Sequence, residues 1–412
     1  MKPAIVVSAF TPGLAVIRSL GARGVPVVVM QYDDRDVGHV SKHVRELIRV
    51  PHPEQEEACF VDRVISQAPR FGRGLLVPAS DAAVASISRH KDLLEQHYIV
   101  ACADWSVTRL AIEKERTYAL AEEAGVAVPK TIVPRSMDDA ERYGRTALYP
   151  CLVKPSQGHL FYARFGTKMF EVADLDQLLR SYRAASEAGL DVVLQEIVPG
   201  PDSNGGNYNS YTWEGEPLVE FTAQKVRGSP PRFGSPRVAL STDVPGVVEP
   251  GRRLLRAMGF SGFACTEFKR DERDGVWKLM EVNGRHNLSG SLAVHCGVDF
   301  PWLQYRHLVD GIVPSQPAPR RNVYWIDELR DIGCDVAYLG REPFRARDYV
   351  KPYLSPHVFA ITDVRDPKPF LIRCWNLLVR ASAFVRRGTG RNAPQPPRAA
   401  DEDPSCVSAG RE

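Results

Sequence analysis

The chain of 412 residues is 44% hydrophobic and 25% charged, enough to bury large cores and to build two or three domains. Its 53 Lys and Arg against 50 Asp and Glu leave a formal charge of +3, too small a surplus over this length to imply a nucleic-acid or acidic-membrane partner. Eight cysteines without a C-x-x-C pair spell neither a zinc knuckle nor a small disulfide framework, and the plain reading is reduced thiols in a cytoplasm.

Met1 to Val7 runs into a short apolar strand with no charged leader or cleavage site, so secretion is not expected. The first hundred residues then alternate β-branched runs with helical spacing, the pattern of βαβ units on a parallel sheet. Ala4 to Ser8 reads as a strand, Pro12 to Arg23 as a helix closed by Gly24, and Val25 to Met30 as the next strand. A third strand, Gly74 to Pro78, precedes Ala79-Ser80-Asp81, where Ser or Asp can cap a helix running to about His90. Ser8 to Gly13 is not G-x-G-x-x-G, so this Rossmann-like segment lacks the dinucleotide fingerprint.

Helical spacing resumes from Asp104 to Gly125, and a strand fits Val126 to Pro134. Strands follow at 151–154, 168–172, 191–197, 208–213, 217–223, 262–269 and 276–282, whose alternation predicts antiparallel sheets with one covered face. The late apolar stretch Pro369 to Val385 is interrupted by Arg373, Asn376 and Arg380, so it cannot span a bilayer and no transmembrane segment is expected. It reads as a helix with one buried face, a packing helix in preference to a membrane attachment. From about Arg386 the composition predicts a disordered tail.

The densest chemistry lies in Thr266-Glu267-Phe268-Lys269 and Lys278-Leu279-Met280-Glu281-Val282-Asn283, two strands joined by a charged turn. Alternation points Glu281 and Asn283 the same way, and pairing across the hairpin can bring Glu267 alongside. Three oxygen donors on a rigid sheet suit Mg²⁺. Taken alone, a solvated hairpin explains the same residues.

The surrounding segments change that balance. In order along the chain come Glu113-Lys114-Glu115, Cys151-Leu152-Val153-Lys154-Pro155, the Gly-containing stretch Gln157-Gly158-His159 to Gly166-Thr167-Lys168, Gln195-Glu196-Ile197-Val198-Pro199-Gly200-Pro201-Asp202, and the hairpin ending Asn283-Gly284-Arg285. This series resembles the ATP-grasp superfamily over roughly Met1 to Val309, and its wording is similar to the predicted carboligases and the D-aspartate ligase-like group. The resemblance implies an α/β and α+β fold, with a Rossmann-like domain over 1–103 and an ATP-grasp domain over 104–310 whose lid lies at about 130–198. An extension over 311–385 and a tail over 386–412 would follow.

It also implies ATP and Mg²⁺ as cofactors, with Mn²⁺ a permissible substitute, and assigns roles by matching position. Lys114 and Lys154 would reach phosphates, 157–168 would close over the γ-phosphate, and the Ile197 and Val198 backbone would meet the adenine. Gln195 or Glu196 would take its amino group and Asp202 the ribose. Glu267, Glu281 and Asn283 would hold the metal, and Arg285 would lie beside an acyl phosphate, where its fork suits carboxylate or phosphate. Lys225 and Arg227 sit where the family places a phosphate-facing cation, with plain surface charge as the alternative. At Cys265 some relatives carry a catalytic arginine, so the match to the cell-wall dipeptide ligases is not exact.

The function so implied is ATP-dependent joining of a small carboxylic acid to an amine or amino acid through an acyl phosphate, with release of ADP and phosphate and formation of a C–N bond. A phosphotransferase acting on a hydroxyl or phosphate is the second reading, and a nucleotide-binding module without catalysis the third. Trp325, Tyr338, Tyr349, Tyr353 and Trp375 of the extension either pack internally, cover the cleft or build a homodimer face.

Overall fold

The computed structural model describes residues 1–155, 161, 164–167, 169–338 and 345–389. Met1–Phe370 form one compact unit, and a second begins at Leu371. Three sheets organise the first. Strands β1 (Ala4–Val7), β2 (Val27–Gln31), β3 (Val44–Arg49), β4 (Leu75–Pro78) and β5 (Ile99–Val100) form a parallel sheet in the order β3-β2-β1-β4-β5. Fully buried runs such as Ala4–Val7 and Leu75–Pro78 explain why these strands are continuously apolar. β3 has no continuous apolar run because, as an edge strand, it alternates exposed Arg45, Leu47 and Arg49 with the partly covered Val44 and Glu46 and the buried Ile48.

Strand order reverses between β1 and β4, so a crevice opens at their carboxyl ends. Ser8 there adopts φ +75°, and its hydroxyl and the Ala9 amide both donate to the buried carboxylate of Asp36, at 2.9 and 2.6 Å. Gly13 has to be glycine: a Cβ would stand 2.1 Å from the Ser8 carbonyl oxygen. On the other side of the crevice, Ser80 caps the helix Asp81–Arg89 by accepting from the Ala83 amide, which leaves Asp81 in the first turn.

The helical stretch after Asp104 is broken at Glu113 into Trp105–Ile112 and Lys114–Glu123, which puts Lys114 at the start of the second helix. Next comes an antiparallel sheet of β6 (Thr131–Ile132), β7 (Cys151–Pro155), β8 (Phe170–Val172) and β9 (Val192–Glu196), ordered β6-β9-β7-β8. One face is covered by the helices Met137–Gly144 and Leu175–Glu187, which bury Cys151, Val153, Leu178 and Leu194. Residues of opposite parity, Leu152, Lys154 and Gln195, are left on the other face. Most of the expected closing loop at 157–168 lies outside the described residues.

The third sheet holds β10 (Gly205–Trp213), β11 (Glu216–Ser229), β12 (Ser235–Ser241), β13 (Gly262–Arg270), β14 (Trp277–Asn283), β15 (Tyr324–Ile326) and β16 (His357–Phe359), in the order β14-β13-β10-β11-β12-β15-β16. Helix Pro245–Ala257 covers it with Val247, Leu254 and Leu255 over Tyr208, Phe268 and Leu279. β15 and β16 continue the sheet beyond β12, a role that three-residue strands do not announce in sequence.

The extension is pinned to this sheet by Asp331, whose side chain is wholly buried. Arg227 grips it with two hydrogen bonds of 3.0 and 2.6 Å, Arg237 lies 3.3 Å away, and the Tyr353 hydroxyl donates at 2.8 Å. Arg227 is therefore neither a phosphate-facing cation nor plain surface charge. Its guanidinium also covers the Tyr349 ring at 4.9 Å. Trp325 is buried and donates to the Ser291 hydroxyl at 3.0 Å, so Trp325, Tyr349 and Tyr353 pack internally. The Tyr338 side chain lies outside the described residues.

One expectation is corrected at the end of the chain. The helix Lys368–Thr389 runs past Arg386, the expected start of the tail. Residues 390–412, the rest of the expected tail, lie outside the described residues.

Candidate active site

A cleft of about 290 Å³ is lined by Lys114, Lys154, Gln195, Glu196, Ile197, Val198, Asp202, Lys225, Glu267 and Glu281. Ten of the thirteen site residues expected from the sequence thus share one cavity. Asn283 borders a second cavity of about 100 Å³, with Asp81, Lys114, Thr117 and Glu281. Arg285 lies beside Asp81.

Lys154 projects from the open face of β7 and donates to Gln195 Oε1 at 2.9 Å. The Gln195 amide in turn donates to the Tyr118 hydroxyl at 3.1 Å and to Thr131 Oγ1 at 2.9 Å, which fixes the oxygen toward the lysine. Burial, then the neighbouring Lys114, hold the Lys154 ammonium down to about 7, against the pull of Glu281. Two lysines crowded in this way leave the cleft short of negative charge.

Glu196 is already committed. It accepts from the Lys130 amide at 2.9 Å, from Lys278 at 2.7 Å and from Arg273 at 3.0 Å. Burial pushes its carboxyl up, but the Lys278, Lys130 and Arg273 hydrogen bonds outweigh this and leave the net shift downward. This network ties the end of β9 to the turn between β13 and β14.

Asp202 accepts from the Gly228 amide at 2.8 Å and lies 3.0 Å from Lys225, which also donates to the Gly234 carbonyl at 2.6 Å. Gly234 turns so tightly that a Cβ would overlap the Ser229 carbonyl carbon at 1.9 Å. The same loop offers Arg232, which reaches Glu171 of β8 at 3.3 Å across the cleft. Sequence reading passed over this pair because neither residue belongs to a motif.

Glu267 and Glu281 are direct partners on neighbouring strands, and Asn283, two residues from Glu281 on the same face, donates to Glu267 Oε1 at 3.2 Å. Burial, and then Glu281, push the Glu267 carboxyl well up, against Lys225 and Arg285. Two carboxylates held this close without a cation repel each other, a donor set that fits a divalent ion. Asn283 would join it by turning its amide to present Oδ1. Among the described residues no cluster of three His, Cys, Asp or Glu is arranged to hold a metal.

Arg285 grips Asp81 with both arms of its fork, Nε to Oδ1 at 2.6 Å and Nη2 to Oδ2 at 2.8 Å. Asp81 was read only as a helix cap, and its long-range partner has no local signal. His286 is buried against Phe263 and beside Gln304 Oε1 at 3.1 Å, and its ring is held down to about 4, chiefly by burial.

A parallel-sheet domain, a small four-stranded sheet and a large antiparallel sheet that enclose a cleft of two lysines opposite paired glutamates give this chain the ATP-grasp fold. No family model matches it. In sequence it is similar to the D-aspartate ligase of Enterococcus faecium (strain Aus0004), with 27% identity over 234 residues, 52% of this chain and 54% of that protein. The chain thus spans about half the length of this relative.

In fold it is similar to the L-amino acid ligase from Bacillus licheniformis, with a TM-score of 0.57 and 17% identity over 75% of this chain and 74% of that one. It is also similar to the biotin carboxylase domain of the Hydrogenobacter thermophilus 2-oxoglutarate carboxylase in complex with MgADP, ADP and bicarbonate. There the TM-score is 0.60 and the identity 19% over 79% and 73% of the two chains. No helix among the described residues is long and apolar enough to cross a membrane.

Proposed function

We propose that the protein is an ATP-dependent carboxylate-amine ligase. The observation that carries this reading is the crowding of Lys114 against Lys154, opposite Glu281 and Glu267, in a single cleft. Such an arrangement is unfavourable when empty of anions and is relieved by a triphosphate with its divalent ion. The ligase named among its sequence relatives and the MgADP named in one structural neighbour support the same reading.

Lys114 and Lys154 hold the phosphates, and Gln195 acts by aiming Lys154. The Ile197 and Val198 backbone faces the adenine, while Asp202 and Lys225 exchange their mutual contact for ribose and phosphate. Glu267, Glu281 and Asn283 would hold Mg²⁺, which would supply positive charge against the phosphates. A substrate carboxylate oxygen attacks the γ-phosphorus, the bond to the β-phosphate oxygen breaks, and ADP departs with that electron pair. Arg285 steadies the acyl phosphate. An amine then attacks the acyl carbon, phosphate leaves, and the amine loses a proton as the C–N bond forms.

A screen of amino acids and small acids for stimulated ADP release tests this. With the right acid and no amine, hydroxylamine should trap a hydroxamate, with one ADP and one phosphate formed per turnover. Stoichiometric AMP and pyrophosphate would exclude the acyl phosphate, and a stable phosphorylated product that hydroxylamine leaves intact would favour a phosphotransferase.

A further inference from the structure

We propose, on the reading of this cleft as a nucleotide site, that Asn207 is a further catalytic residue, a neutral donor to the γ-phosphoryl group, and that Asn209 and Asn287 position it. Asn207 lines the cleft. Strand pairing sets it opposite Glu267, which in turn faces Glu281, so the three residues form one row across β10, β13 and β14. Alternation puts Asn209 on the same face in the next row, opposite Cys265. Tyr208, between the two asparagines, points the other way into the core beneath the helix Pro245–Ala257.

Hydrogen bonds fix which end of the Asn207 amide is left over. Asn209 Nδ2 lies 3.3 Å from the Phe221 carbonyl oxygen, which can only accept, so the atom at that place has to be the nitrogen. The same nitrogen donates to Asn207 Oδ1 at 3.0 Å, which uses both of its hydrogens, while Asn209 Oδ1 accepts from Asn287 Nδ2 at 2.9 Å. Asn209 and Asn287 are buried, so this chain of three amides is shielded from water and strengthened by it. With Oδ1 tied, Nδ2 is the end of Asn207 left to the cleft, and among the described residues it has no hydrogen-bond partner. Two residues earlier on the same strand, Gly205 lies against Asp202 and Lys225, whereas Asn287 is two residues from Arg285. Asn207 therefore stands between the ribose end of the cleft and the arginine, beside the paired glutamates, where a terminal phosphoryl group in transfer would pass. A neutral amide can donate to its oxygens there without adding to the crowded charge of Lys114 and Lys154.

The test compares binding of MgADP and of magnesium β,γ-imido-ATP to the full-length protein by titration calorimetry. Asn207→Ala should weaken imido-ATP by about 10- to 100-fold, the worth of a hydrogen bond to a charged group, and leave ADP within about twofold. Asn207→Asp still accepts from Asn209 and keeps the internal contact, yet it should lose at least as much on imido-ATP. A residue that only braced the strand would tolerate that change. Asn209→Leu should weaken imido-ATP by itself and add less than about twofold to Asn207→Ala, because it acts through the same amide. Equal losses on both nucleotides, or an Asn207→Ala variant that binds both as the unaltered protein does, overturn the proposal and leave the ligase reading standing. An unaltered protein that binds neither nucleotide overturns both. Discrimination by Asn207 with no acid that stimulates ADP release supports the proposal and sinks the ligase reading alone.

Discussion

Asp81 and Arg285 lie 204 positions apart and meet in a two-armed ion pair. The pair makes the parallel-sheet domain responsible for the aim of a side chain on the other side of the cleft. Arg285 is largely covered, whereas the Asp81 side chain is 68% exposed, so a substrate carboxylate or phosphate can take over one arm of the fork without moving the arginine. Asp81→Asn should therefore lower kcat about tenfold while the KM for ATP stays within about twofold. Arg285→Lys keeps the charge and loses the fork, and hydroxamate formation should fall by about 10- to 100-fold, more than nucleotide binding does. Equal losses in both quantities would remove Arg285 from the reacting centre.

Lys154 gives a pH signature. Its folded value of about 7 lies below the ordinary 10.5, so between those values the unfolded chain carries a proton that the empty fold does not. Stability without ligand should rise with pH across that window and be lost as pH falls toward 7. Phosphate binding should restore the charge, so nucleotide binding at about pH 8 should take up close to one proton, measured by calorimetry in buffers of different ionisation enthalpy. Lys154→Met should abolish this uptake, raise the KM for ATP and slow turnover.

Glu281→Ala should abolish Mg²⁺-dependent ADP release, while Asn283→Asp should keep measurable activity, because aspartate still presents an oxygen and alanine none. A magnesium titration of each variant reads this directly. Similar mild losses would take Glu281 out of the metal site.

Asp331 offers a stability test remote from the chemistry. Replacing it with alanine takes the carboxylate away from Arg227, Arg237 and the Tyr353 hydroxyl, and removing one partner of a buried ion pair costs about 3–5 kcal/mol. Urea denaturation should show that loss. A change under about 1 kcal/mol would mean that solvent already reaches the pair.

What could be read from the sequence divides along physical lines. Buried strands such as Ala4–Val7 and Leu75–Pro78 declare themselves by composition, and the Glu267, Glu281 and Asn283 cluster by alternation across one hairpin. Side-chain alliances between distant segments declare nothing locally: Gln195 on Lys154, Glu196 on Lys278 and Asp81 on Arg285 depend on the fold being closed. The short strands β15 and β16 were unreadable for a related reason, since three residues acquire strand geometry from the neighbour they pair with.

The pairing of Tyr324–Ile326 onto Val238–Leu240 also decides how far this protein can be shortened. Cutting the chain near residue 320 would retain every residue of the cleft and strip the guard from β12. The uncovered backbone amides and carbonyls of Val238, Ala239 and Leu240 would then be an open template for another molecule's strand. A shortened protein should bind nucleotide poorly for a colloidal reason, by self-association into sheet-linked aggregates, before any loss of catalytic groups is felt.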